Sequence, residues 1–218
     1  MKAVIFDMDG VLIDSEPLYM QFVLDFYHRF HQNLDYETVC KLAGSSSKES
    51  WRMMGEWWYP MKTPEEMELF YKENVLHDDV DFTQILNPYV TYILPKLKVA
   101  GFKLAIASSS PYEDIYQMCA ACRIEEFFDV ILSGEDFENS KPDPEIYISA
   151  MKSLGVKKHD CIIIEDSDYG IEAGKKAGAF VIAKKDVRFG FSQAKADLQV
   201  YDLLEAYRYI MKGCERND

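Results

Sequence analysis

The feature that most constrains this chain is an alternation that begins past Asn87 and Pro88. Short apolar runs suited to buried strands are each followed by a stretch with helical spacing of roughly 10–15 residues, and that pattern implies a parallel sheet covered by helices on both faces. A helix is expected over residues 89–100, ended by Gly101, and a strand over 103–107 that runs into Ser108, Ser109 and Ser110. Ser110-Pro111-Tyr112-Glu113 reads as a capping box opening a helix toward Cys122, with Ser110 as the cap. Further strands are expected over 129–133, 161–164 and 180–183, with a weak sixth over 197–200. Between them, helices run from Pro144, capped by Asp143, to Gly155 and from Tyr169 to Gly178.

The first strand is Val4-Ile5-Phe6, and it ends in Asp7-Met8-Asp9-Gly10. After a turn around Asp14 to Pro17, apolar residues recur at helical spacing from Leu18 to Phe30. No convincing strand follows until about Phe82. Ser46-Ser47-Lys48-Glu49 and Thr63-Pro64-Glu65-Glu66 both fit capping boxes. Trp51, Met54 and Trp58 share one helical face, a pattern that reads as core rather than as a sugar-stacking surface. The expected fold is therefore α/β, a Rossmann-like core over residues 1–15 and 83–218 with an α-helical domain, residues 16–82, inserted into it.

Composition narrows the function. With 24 Lys and Arg against 37 Asp and Glu, the formal net charge of -13 argues against a nucleic-acid partner. It leaves a small phosphorylated substrate open, because a cation can reverse the field inside one pocket. No apolar run approaches the roughly 18–20 residues of a membrane span, so no membrane partner is expected. Met1 and Lys2 lead straight into a strand without an apolar leader. Five irregularly spaced cysteines suit a reducing, cytoplasmic setting; Cys119 and Cys122 have the spacing of a redox or zinc pair but read better as helix-core residues.

A parallel sheet collects its strand carboxyl ends along one edge, where open α/β folds bind ligands. This sequence delivers Asp7 and Asp9 to that edge, then Ser108, the loop bearing Lys141, and Glu165 with Asp166. Each has a plainer reading: an Asp-Gly turn, a capping serine, a solvated loop lysine, a helix-capping cluster. Together they fit phosphoryl transfer with Mg2+. Buried carboxylates need a cation or hydrogen bonds, Mg2+ takes oxygen ligands, and a lysine with a hydroxyl holds phosphoryl oxygens. One carboxylate can then act as nucleophile while a second moves the proton.

Asp7-Met8-Asp9-Gly10-Val11, the strand end at Ser108, Lys141-Pro142-Asp143-Pro144, and the run from Glu165 and Asp166 to Gly170 and Ala173 resemble the four ordered motifs of the haloacid dehalogenase superfamily. Within it the chain is similar to the group of beta-phosphoglucomutases and small sugar-phosphate phosphatases. The resemblance implies Asp7 as nucleophile and metal ligand, and Asp9 as acid/base whose backbone carbonyl also meets Mg2+. It implies Ser108, with Ser109, and Lys141 as holders of the phosphoryl group, and Asp166 with Glu165 as the rest of the metal site. The second aspartate sets dehalogenation aside. Phosphonate hydrolysis would use a cap lysine; Lys41, Lys48, Lys62 and Lys72 are available, and none stands out.

By the same resemblance the helical insertion would be a cap, and its polar loop from Gly44 through Ser45, Ser46 and Ser47 to Lys48 is the candidate substrate-facing segment, with Gly44, Ser47 and Lys48 as specificity residues. The same loop also reads as a plain helix connection. Beta-phosphoglucomutases carry an arginine in this loop and a histidine in the hinge, where this chain has Ser47, beside Lys48, and Tyr19. A phosphatase of a small phosphomonoester is thus the preferred expectation and a phosphomutase the alternative, acting as a monomer or weak homodimer.

Overall fold

The computed structural model describes residues 1–45, 47–75 and 80–214, and of Cys214 the backbone only. In chain order the elements are β1 (Ala3–Phe6), α1 (Glu16–Arg29), α2 (Tyr36–Val39), α3 (Ser47–Trp57), α4 (Pro64–Asn74), α5 (Val90–Val99), β2 (Lys103–Ser108), α6 (Tyr112–Cys122), β3 (Val130–Ser133), α7 (Glu145–Leu154), β4 (Cys161–Glu165), α8 (Asp168–Ala177), β5 (Phe180–Lys184), β6 (Leu198–Val200) and α9 (Leu203–Cys214). They divide into two compact units, Met1–Asp14 with Asp81–Asp218, and Ser15–Val80.

The first unit is the expected α/β fold. Its six strands lie in the order β3-β2-β1-β4-β5-β6, and every pair is parallel. The chain builds one side of β1 first and then the other, so the strand order reverses at β1. Phe6 pairs with Ile106 on one side and Ile164 on the other. The residues that follow these three are Asp7, Ala107 and Glu165, and the Asp7 N–H extends the ladder to the Ile164 carbonyl at 3.0 Å. Alternate residues face opposite sides of the sheet. Ile5, Ala107 and Ile163 join Tyr147, Ala150 and Leu154 of α7 and Ile171 and Ala177 of α8 in one core cluster. Val4, Phe6, Ile106 and Ile164 point the other way and are equally buried. A sheet buried on both faces is why these strands read as continuous apolar runs.

Two local expectations change. The α6 helix starts at Tyr112 with no side-chain cap; the Tyr112 N–H donates instead to Glu135 at 3.0 Å, so Ser110 is not a cap. The α7 helix starts at Glu145 rather than Pro144, although the Asp143 carboxylate does accept the Glu145 N–H at 3.0 Å. Gly155 ends α7 at φ +65, as expected of a C-terminal glycine. Helix α9 was not anticipated. Cys119 and Cys122 are buried on α6, in accord with the helix-core reading.

The second unit is helical. Thr63 and Glu66 form the full capping box of α4; the box expected at Ser46 lies outside the described residues. Trp58 is buried and packs with Phe26, Tyr27, Phe30 and Phe70 at ring-centroid distances of 5.0–5.8 Å. Half-buried Trp51 meets Tyr71. Met54 and Trp58 are core, as their spacing implied, whereas Trp51 is only half-buried. Among the described residues no helix is long and apolar enough to cross a membrane.

Candidate active site

The carboxyl end of β1 turns sharply because the Met8 carbonyl accepts the N–H groups of Val11, Leu12 and Ile13 at 2.8–3.2 Å. Gly10 makes the turn at φ +75, where a side chain would be strained, and a Cβ on it would lie 2.0 Å from Asp166 Oδ2. The buried Asn87 amide fixes the turn by donating to the Gly10 carbonyl at 3.2 Å and the Val11 carbonyl at 2.9 Å. Asp7 and Asp166 are thereby brought to neighbouring strand ends with a glycine between them.

Lys141 completes the centre. Its Nζ donates to Asp7 Oδ1 at 2.6 Å, Glu165 Oε1 at 2.8 Å and the Ala107 carbonyl at 3.1 Å. It lies 4.9 Å from the ring centre of Tyr147, whose hydroxyl also donates to Glu165 Oε1, at 2.9 Å. The second Glu165 oxygen accepts the N–H groups of Asp166 and Ser167 and the Ser167 hydroxyl at 2.9–3.1 Å. Gly170 leaves room for that carboxylate: a Cβ there would fall 1.6 Å from Glu165 Oε1. The Gln193 amide donates to the carbonyls of Asp166 and Lys184 and ties the loop after β5 to the end of β4.

The electrostatics follow from burial. Loss of water pushes the Asp7 carboxyl up to about 8; Lys141 opposes this, while Glu165 and Asp9 reinforce it. Burial pulls the Lys141 ammonium down, but Asp7 and Glu165 outweigh it and hold the group charged, well above the usual lysine value. Glu165 is also desolvated, yet Lys141 and its other donors bring it below the ordinary glutamate value. One cation is thus too little for the charge gathered here, and Asp7 is the carboxyl left under-compensated.

That imbalance gives the site a place for a metal. Asp7, Glu165 and Asp166 each offer an oxygen, all within 4.8 Å of one another. An all-oxygen, all-carboxylate donor set is hard and suits Mg2+ better than a softer ion. The Asp9 carboxylate is outside this group; its Oδ2 accepts the Ser110 hydroxyl at 2.6 Å. Ser108 is fully buried and its Oγ accepts the Ser110 N–H at 3.0 Å, whereas Ser109 is exposed. Gly44, Ser47 and Lys48 belong to the helical unit. Gly44 has φ +67 and donates its N–H to Glu16 at 3.2 Å, and Ser47 and Lys48 are exposed at the start of α3.

The structure thus gathers Asp7, Ser108, Lys141, Glu165 and Asp166 around adjoining strand ends, with Asp9 on the turn beyond. Sequence reasoning missed Tyr147 and Gln193, read Ser110 as a cap, and quoted Gly170 in a motif without giving it a role. A glycine in the first turn of α8, just past two carboxylates, was a readable sign of close approach. The roles of Tyr147 and Gln193 depend on contacts across 18 and 27 residues, which local patterns do not carry.

Comparison with known proteins gives the family and the fold. The profile of a family described as haloacid dehalogenase-like hydrolase matches residues 4–184. The chain is 33% identical over 182 residues to a phosphorylated carbohydrates phosphatase of Thermotoga maritima, covering 82% of each chain. It is 30% identical over 218 residues to hexitol phosphatase B of Escherichia coli K12, covering 93% of this chain and 96% of that one. Among solved structures, beta-phosphoglucomutase from Clostridium difficile superposes with a TM-score of 0.74 at 25% identity, covering 97% of this chain and 99% of the other.

Proposed function

The chain belongs to the haloacid dehalogenase-like hydrolases, and from that premise we propose that it is a Mg2+-dependent phosphatase that hydrolyses a small phosphomonoester, a sugar or polyol phosphate, through an aspartyl-phosphate. The observation that carries this reading is the buried bridge of Lys141 from Asp7 at 2.6 Å to Glu165 at 2.8 Å, beside the Ser108 strand end.

Asp7 is the nucleophile. Its carboxylate oxygen forms a bond to phosphorus as the bond from phosphorus to the substrate oxygen breaks, and Asp9 gives its proton to that leaving oxygen. Asp9, now a carboxylate, takes a proton from the water that attacks the aspartyl-phosphate, releasing phosphate and restoring Asp7. Lys141 and the Ser108 hydroxyl, with Ser109 next to it, hold the phosphoryl oxygens, whose charge is spread and most strongly attracted to fixed donors in a dry site. Asp7, Asp166 and the Asp9 carbonyl would hold Mg2+, with Glu165 anchoring Lys141 and the Asp166 backbone beside them. When bound, the ion neutralises charge on the phosphoryl oxygens and on the carboxylates.

The phosphatase names of the relatives support hydrolysis. The fold neighbour named as a mutase keeps phosphoryl return to a sugar as the second reading; Tyr19 and Ser47, where mutases hold histidine and arginine, weigh against it. Gly44, Ser47 and Lys48 are the proposed specificity residues of the helical unit. The enzyme works in the cytoplasm on dissolved substrates, as a monomer or weak homodimer.

Asp7→Asn keeps the shape of the side chain and removes the nucleophile, so turnover is expected to vanish while the circular dichroism spectrum is unchanged. Substantial phosphate release by that variant would refute the assignment. Feeding beta-glucose 1-phosphate with a trace of the 1,6-bisphosphate separates the two readings: glucose 6-phosphate without matching free phosphate would establish the mutase.

A further inference from the structure

We propose that Ser110 is the positioning residue of the acid/base, holding the Asp9 carboxyl group at the angle from which it hands its proton to the leaving oxygen. The inference rests on the roles given above to Asp7 and Asp9. Its starting point is the 2.6 Å contact from Ser110 Oγ to Asp9 Oδ2. That hydroxyl has no part in starting α6, since Glu135 accepts the first N–H of the helix.

The backbone around Ser110 is tied on both sides. Its N–H donates to the Ser108 hydroxyl at 3.0 Å, and its carbonyl accepts the Ser133 hydroxyl at 2.7 Å. Ser133 is itself fixed by accepting the Glu135 N–H at 3.1 Å, and both Ser108 and Ser133 are fully buried. The Ser110 hydroxyl is therefore aimed from a backbone pinned to the ends of β2 and β3, and it reaches Asp9, whose carboxylate stands outside the metal-binding group of Asp7, Glu165 and Asp166. A hydroxyl both donates and accepts, so it can keep its contact when Asp9 is a carboxylate and when Asp9 is a carboxylic acid. A shuttle needs a partner of this kind, because Asp9 changes state twice in each turnover.

The step that Ser110 serves moves one proton from Asp9 to the substrate oxygen while the phosphoryl group passes to Asp7. An alkyl ester needs that proton, because an alkoxide is a poor leaving group. A 4-nitrophenyl ester does not, because its phenolate leaves unaided. In kcat/KM, which reports only events up to the first irreversible step, Ser110→Ala is expected to lower turnover of a hexitol phosphate by about 10- to 100-fold, the size of a misplaced catalytic group. It is expected to change 4-nitrophenyl phosphate turnover by less than about 3-fold, and Ser110→Thr restores the alkyl ester.

Equal losses on the two esters in Ser110→Ala would overturn the proposal, since a purely structural role does not distinguish leaving groups. Asp9→Asn is the control for the underlying reading. If that variant shows no preference for the aryl ester, the acid role of Asp9 fails. If it does and Ser110→Ala does not, only the role of Ser110 fails.

Discussion

Gly170→Ala tests whether the position of the Glu165 carboxylate is as constrained as its contacts imply. Gly170 is in the first turn of α8, with ordinary helical backbone, where alanine normally stabilises by about 1 kcal/mol over glycine. Here a Cβ would meet Glu165 Oε1 at 1.6 Å, its Cδ at 2.0 Å and Oε2 at 2.4 Å. The far end of a glutamate usually swings away from such a clash at little cost. This one accepts hydrogen bonds from Lys141, Tyr147, two backbone N–H groups and the Ser167 hydroxyl, and it is 1% exposed.

Losing two of these contacts, at about 1.5–3 kcal/mol for each bond to a charged group, costs roughly 3–6 kcal/mol. Subtracting the gain in helix propensity leaves a net destabilisation of about 2–5 kcal/mol. Urea unfolding should be followed by far-ultraviolet circular dichroism, because Trp51, Trp57 and Trp58 all lie in the helical unit and their fluorescence reports that unit. Glu165→Asp draws the carboxylate back by one methylene, so in that background Gly170→Ala should cost at least about 1 kcal/mol less. Gly213→Ala, on helix α9 with nothing within 4 Å of the added Cβ, is the control for helix propensity alone and should not destabilise. A Gly170→Ala enzyme as stable and active as wild type would refute the reasoning.

Three further outcomes follow from the same contacts. Tyr147→Phe removes one donor from Glu165 but leaves Lys141 in place, so it should cost about 1–2 kcal/mol and raise the Mg2+ concentration needed for half-maximal activity; unchanged metal dependence would count against Tyr147 orienting the site. Chelation should abolish phosphate release and added Mg2+ restore it, while full activity in excess chelator would defeat the metal assignment. Burial raises the Asp129 carboxyl, but Lys98 and the Leu104 N–H outweigh it and leave the group below its ordinary value of 3.8. Its contribution is therefore present above that value and lost as pH falls through the lower folded one. The group is 39% exposed, so the effect should stay within about 1 kcal/mol. The stability gap between wild type and Asp129→Asn should narrow in acid, and a gap that widens would reverse the sign.

How much of this was legible in the sequence depends on the distance over which each cause acts. The strands were readable because a sheet buried on both faces demands apolar runs, and the helix stops were readable because Gly155 and Gly178 take left-handed conformations there. The order of the strands was not spelled out locally, but any parallel sheet brings Asp7, Ser108 and Glu165 to one edge, so most of the candidate site followed from topology. Ser110 shows where the reading stopped. A serine before a proline and a helix has the local signature of a cap, and it is Glu135, just past the end of β3, that accepts the helix's first N–H instead. The contact from Ser110 to Asp9 spans 101 residues. Local pattern thus identifies which residues carry charge or a proton, whereas the residues that aim them are set by tertiary contacts. In this protein Ser110 and Tyr147 are such aiming residues, where substitution should alter activity while every motif residue remains in place.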